Sequence, residues 1–304
     1  MQRTYRKGIL RCITFQVKFG NVANKIELGD VNRMDDLRIA LEHAKRIVVK
    51  VGTSTLTYDN GKVNFTRIDK LARALSDLLN QDKEVVLVTS GAIGVGVGKL
   101  KLKSKPVTVQ EKQAVAAVGQ CELMHIYSKF FSEYGHTVGQ ILLTRDVVEE
   151  EHTRQNVSNT FETLLKIGIV PIVNENDSVS IDEIEFGEKR VFGDNDTLSA
   201  IVAVLVKSDL LIILSDIDGF YDCDPRKNSN SHMLSIVRNI TPEIEMCAGG
   251  AGSRRGTGGM ITKLSAAKLA NSKNIDMVLA SGCEPGVIMD IIAGKNIGTL
   301  FTVR

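Results

Sequence analysis

Short apolar runs alternate with stretches of helical spacing along most of this chain. The runs at 46–51 (RIVVKV), 84–89 (EVVLVT), 137–143, 168–173 (GIVPIV), 210–214, 275–280 and 298–303 read as strands. Between them, apolar residues recurring every three or four positions predict helices over 68–79, 113–134, 153–167, 196–206 and 260–271, the first with a candidate N-cap at Thr66. Continuous apolar strands separated by helices describe an α/β protein whose parallel sheet is covered on both faces. Ligands of such sheets bind at the carboxyl ends of the strands, where this sequence keeps its Gly, Ser, Asn and Asp. Residues 175–194 and 218–256 are rich in Gly, Asp, Asn and Ser and are candidate loops or lids. No repeat, low-complexity tract or linker divides the chain, which reads as one domain.

Composition narrows the class. The 304 residues are 43% apolar and 24% charged, enough to bury a large core without disulfide staples and too apolar for a disordered chain. The longest apolar candidate, 200–214, is cut by Lys207, Ser208 and Asp209, so no segment reaches the roughly 18 apolar residues of a membrane span. The five cysteines are scattered, with no C-x-x-C, which fits a reduced, cytoplasmic protein better than a disulfide framework or zinc site.

Net charge is +2, but its placement matters more than its total. Residues 1–33 hold seven Lys/Arg against two Asp/Glu, which leaves residues 34–304 with 31 basic and 34 acidic side chains. A mildly acidic globule gives no argument for nucleic acid as a partner. The basic leader lacks the apolar core and cleavage site of a secretory signal. It reads as a disordered or artefactual extension ahead of a natural start at Met34. An organelle transit peptide fits less well, because residues 1–33 contain no Ser.

The common nucleotide motifs fail here. GAIGVGVGK (91–99) is glycine-rich after a strand, yet Lys99 precedes Leu100, and no window gives G-x-G-x-x-G. Two strand-end glycine turns remain, each of which alone is better explained as a packing turn. The first, Lys50-Val51-Gly52-Thr53-Ser54, puts a Lys inside an apolar strand, which is costly unless the ammonium meets an anion such as a phosphoryl group. The second, Thr89-Ser90-Gly91-Ala92, offers a hydroxyl and N–H groups suited to a small polar substrate. Carboxylates and amides follow in Asn174-Glu175-Asn176-Asp177 and Gly193-Asp194-Asn195-Asp196. Helix capping accounts for some of them. A converging set can also grip an ammonium, hold a metal or orient lysines. Ser215-Asp216 follows another strand, and Gly256–Lys263 is a glycine segment running into a helix whose first turn holds a second Lys.

These strings resemble the amino acid kinase family. VVKVGTS (48–54), LVTSGAIG (87–94), IVNENDSV (172–179), FGDNDTLSA (192–200), SDIDGFYDCDPR (215–226) and GTGGMITKL (256–264) come in family order and cover nearly all of 46–304. The single Gly52 after Lys50, with NENDSV paired to GDND, resembles the branch that phosphorylates the γ-carboxylate of L-glutamate. The resemblance implies a three-layer α-β-α sandwich with a mainly parallel sheet, ATP as phosphoryl donor, and Mg²⁺ carried by the nucleotide. Lys50 and Lys263 would be catalytic, reaching the transferring group, with Asp196 organising both and Asp194 in indirect support. Ser90, Gly91, Asp177 and Asn195 would hold glutamate. Lys50, Ser215, Asp216, Thr257, Gly258, Gly259, Met260, Ile261, Thr262 and Lys263 would bind ATP. A carboxylate is already a nucleophile at neutral pH, so no general base is needed.

Residues 1–45 have no family counterpart, and 46–304 would be the kinase domain. Many members carry a PUA module after this domain, and the sequence resembles a short, kinase-only form. A homo-oligomer is implied, and the labile acyl phosphate product suggests a transient glutamyl phosphate reductase partner. The competing readings are a sister kinase making another acyl phosphate, and a metabolite sensor on the same fold. The two lysines and the intact GDND speak against a sensor.

Overall fold

The computed structural model describes residues 36–58, 61–144, 150–179, 195–225, 228, 230–248 and 259–304. Its centre is an eight-stranded sheet with strand order β3-β4-β2-β1-β5-β9-β10-β8. The strands are β1 (Arg46–Val51), β2 (Glu84–Thr89), β3 (Thr137–Leu143), β4 (Ile169–Glu175), β5 (Leu210–Ser215), β8 (Ile236–Val237), β9 (Asp276–Ser281) and β10 (Thr299–Phe301). A separate two-stranded ribbon joins β6 (Phe220–Tyr221) to β7 (Met233–Leu234). Every pairing from β3 across to β9 is parallel; β10 runs antiparallel to β9, and β8, parallel to β10, shares the reversed direction. The expected mainly parallel sheet is therefore present, with a mixed edge that the apolar runs could not signal.

Alternation along β1 shows how the layers form. Ile47, Val49 and Val51 join one core with Leu71, Leu75 and Leu78 of α2 (Phe65–Asn80), Leu123 and Tyr127 of α4 (Val109–Glu133), and Ile288 of α9 (Val287–Ile292). Val48 joins the other, with Phe161 of α5 (Glu151–Lys166), Leu198 and Val202 of α6 (Asn195–Leu205), and Leu264 of α8 (Met260–Asn271). Side chains on a strand alternate between faces, so the sheet is apolar on both sides and the three-layer sandwich follows.

Several boundaries differ from expectation for local reasons. α2 starts one turn earlier than 68, capped by Asn64, whose side chain accepts from Arg67 N at 3.1 Å; Thr66 lies inside the helix. α4 starts at a reciprocal capping box between Thr108 and Glu111 rather than at 113. The glycine-rich 92–99 stretch is itself a helix, α3 (Ala92–Lys99), following a single turn α1 (Thr53–Leu56) on β1; α7 (Pro242–Cys247) completes the set. The core also reaches back before residue 46. Leu41 and Ala44 are buried in it, and Arg38, 2% exposed, donates to the carbonyls of Ser235, Lys295, Ile297 and Gly298.

Candidate active site

The strand order reverses around β1, the first strand, which lies between β2 and β5. At such a point the flanking crossovers leave the sheet in opposite directions and open a crevice at the carboxyl ends. Lys50 is the penultimate residue of β1, in register with Val88 and Ile213 of its neighbours. It shares a face with Val48, so its side chain runs toward α6 and α8. There Lys50 Nζ lies 2.5 Å from Asp196 Oδ1, and Lys263 Nζ lies 3.0 Å from Asp196 Oδ2. All three are buried, Asp196 at 1% exposure.

Two ammonium groups on one carboxylate leave a buried excess of one positive charge. Burial works to raise the Asp196 pKa, but the charges and hydrogen bonds of Lys50 and Lys263 outweigh it and hold the carboxyl below its ordinary value. Asp196 also sits in the first turn of α6, where the helix dipole favours an anion. Each oxygen of this carboxylate thus faces one lysine. Thr262 adds a third contact: its hydroxyl donates to Gly259 O at 2.7 Å and lies 3.3 Å from Asp196 Oδ2. The Lys50–Asp196–Lys263 set anticipated from sequence is thus assembled from three elements.

Ser90 and Gly91 follow β2. Gly91 adopts φ +97°, a left-handed conformation that a side chain would strain, and it aims the start of α3 at the crevice. Asn195 Nδ2 donates to Ser90 Oγ at 2.8 Å. Asp177 follows β4 and borders a cavity of about 390 Å³ between α4 and the β3–β4 edge. Ser215 ends β5, its hydroxyl donating to Asp216 at 2.9 Å. Gly259, Met260, Ile261 and Thr262 lead into Lys263 at the start of α8, with Ile261 exposed. Asp194, Thr257 and Gly258 lie outside the described residues.

Sequence reasoning missed the supports behind these residues, all of them on α4. Tyr127 OH is 2.8 Å from Thr89 Oγ1 in the core, and Thr89 in turn donates to Ser90 O. Burial raises the Tyr127 phenol well above its usual range, so it stays protonated. Gly119 packs backbone to backbone on α3: a Cβ there would sit 1.8 Å from Ala92 O. Within 91–99, Gly91 makes the turn and Gly96 shares the close crossing, where a Cβ would sit 2.1 Å from Val115 O.

A family model described as the amino acid kinase family matches residues 45–281, and the chain belongs to that family. Within it, the chain is 67% identical to a glutamate 5-kinase of Clostridium perfringens over 88% of this chain and 99% of the relative. A glutamate 5-kinase of Listeria monocytogenes is 58% identical over 88% and 96%. The fold is shared more widely: a carbamate kinase from Giardia lamblia bound to AMP-PNP superposes with a TM-score of 0.61 at 15% identity, covering 86% of this chain and all of that one.

Proposed function

We propose that this protein transfers the γ-phosphoryl group of ATP to the γ-carboxylate of L-glutamate, giving L-glutamyl 5-phosphate, the first step of proline biosynthesis from glutamate. The observation that carries the reading is the buried cationic excess of Lys50 and Lys263 on Asp196, at the switch point beside the Ser90 turn. The nucleophile is an anion that must approach an anionic phosphate, so the barrier is electrostatic. Two preorganised ammonium groups lower it by stabilising charge on the phosphoryl oxygens in the in-line transition state. Ser90, Gly91, Asn195 and Asp177 would place the acceptor, Asp177 pairing with its ammonium. Ser215, Asp216 and the segment from Thr257 to Lys263 would hold ATP. Mg²⁺, when carried on the nucleotide, screens the phosphate charge.

The family likeness at high identity supports glutamate over sister acceptors. Among the described residues no helix is long and apolar enough to cross a membrane; a cytoplasmic location is part of the proposal. We further propose a homo-oligomer, and hand-off of the cyclising product to a glutamyl phosphate reductase. Trapping the acyl phosphate as a hydroxamate tests the activity. ADP release is expected with glutamate and not with aspartate, N-acetylglutamate or carbamate; activity confined to another acceptor overturns the reading.

A further inference from the structure

Gln120 of α4 and Asn174 of β4 form a pair that the reaction as described does not use. Asn174 Nδ2 donates to Gln120 Oε1 at 2.8 Å, and the two side chains are 1% and 8% exposed. A single N–H···O bond between primary amides leaves over one carbonyl oxygen and one NH₂ group, whichever amide donates. Both leftovers, Asn174 Oδ1 and Gln120 Nε2, are buried and make no hydrogen bond among the described residues. Buried amides left half-satisfied are costly, and an apolar pair of the same volume would fill this part of the core at no such cost. Packing alone therefore does not account for them.

Their location supplies a reason. Gln120 lines the cavity of about 390 Å³ together with Ala116, Met124, Gln140, Leu142 and Asp177. Asn174 lies three residues before Asp177 in the chain, and the segment between them forms one wall of that cavity. The pair ties α4, on one wall of the cavity, to the end of β4 that carries Asp177 on another.

We propose that Gln120 is a positioning residue for the amino-acid substrate: it fixes the Asn174 amide, and with it the end of β4 that carries Asp177, in the orientation that receives the substrate's zwitterionic end. This rests on the glutamate reading above. It predicts an effect on one substrate and not on the other, because the Lys50–Asp196–Lys263 set lies on the opposite face of the sheet.

The test uses the full chain with three variants: Gln120→Met, Asn174→Leu and the double. Gln120→Met removes the acceptor that fixes the Asn174 amide and is expected to raise the KM for glutamate about tenfold, with kcat and the KM for ATP within about twofold. The double variant leaves no amide unpaired, so it is expected to melt at or above the wild-type temperature while its glutamate KM stays high and non-additive with the single changes. Should Gln120→Met fail to fold, the double alone carries the test. A double variant with wild-type glutamate KM overturns the proposal, as does an equal rise in both KM values. Wild-type protein without glutamate-dependent turnover overturns the glutamate reading itself, and this proposal with it.

Discussion

Asn195 Nδ2 donates to Ser90 Oγ, and the next residue, Asp196, takes both buried lysines. Two consecutive residues at the start of α6 thereby tie the Ser90 turn after β2 to the cationic centre at the end of β1. Under the proposed function, one helix start would hold the acceptor side and the phosphoryl side in register, as in-line transfer between two anions requires.

The first prediction concerns that link. Ser90→Ala removes the hydroxyl that accepts from Asn195 and leaves the half-buried amide without it. The KM for glutamate is expected to rise about tenfold while the KM for ATP changes little. Steady-state kinetics on both substrates checks this; equal effects on the two would mean that the turn does not belong to the acceptor side.

Lys50→Met and Lys263→Met each remove one of the two charges that, under the proposed function, stabilise the transferring group. Each is expected to lower kcat by on the order of 10²-fold or more, with a smaller effect on KM. Both substitutions also relieve the charge excess around Asp196, so neither is expected to lower the melting temperature much. A rapid-quench measurement of single-turnover ADP formation separates the chemical step from product release; an unchanged single-turnover rate would remove the lysine from the catalytic set.

Asp196→Asn has the opposite balance, because it leaves two buried ammonium groups against a neutral amide. Breaking a buried pair in this way costs about 3–5 kcal/mol. The pH dependence follows from the sign of the shift. The folded-state pKa of Asp196 lies below the ordinary 3.8, so the stability this carboxylate contributes is complete above that value and is lost as pH falls through the lower folded value. Denaturant titrations should therefore show a gap between wild type and Asp196→Asn that is constant through neutral pH and closes in acid. A gap that widened in acid would contradict the ion-pair geometry.

The Gly119–Ala92 contact makes a prediction about catalysis at a distance. Gly119→Ala places a methyl on the Ala92 carbonyl, and both partners are backbone, so α3 and α4 must separate. Overpacking of this kind costs about 1–3 kcal/mol. Since α3 begins directly after Gly91, the separation moves the Ser90 turn. Weakened glutamate binding by calorimetry, with nucleotide binding retained, is the expected result.

What the sequence made legible divides along physical lines. β1, β2, β3 and α8 carry uninterrupted patterns, and their boundaries were readable to the residue. α3 was not, because glycine has the weakest helix propensity after proline, and here close packing on α4 overrides it. The Lys50–Asp196–Lys263 set was legible because a charged residue in an apolar strand demands a partner. Gln120 and Tyr127 were hidden: at helical spacing on α4 they read as ordinary core-facing positions, and only their strand-end partners, Asn174 and Thr89, reveal their roles. The reach of the core back to Arg38 was hidden as well, since a lone Arg between Leu37 and Ile39 gives no sign of the distant carbonyls it meets.

That Arg38 supports the final prediction. Its guanidinium meets four carbonyls and makes no ion pair among the described residues, and burial lowers its pKa. Two of those carbonyls flank the left-handed turn at Gly298 that leads into β10, and another is Ser235, just before β8. The side chain therefore joins residues 36–44 to the mixed edge of the sheet. Arg38→Met keeps the stem but leaves the carbonyls unpaired, each costing about 1–3 kcal/mol where water cannot reach it. A fall in melting temperature of roughly 5–10 °C is expected for a chain of this size. Hydrogen exchange gives the sharper check. Protection should be lost at residues 36–44, β8 and β10 while β1, β2 and β5 keep theirs, because the active-site strands lie at the centre of the sheet and the clamp acts at its edge. Uniform loss across all strands would show that Arg38 stabilises the whole core rather than this edge.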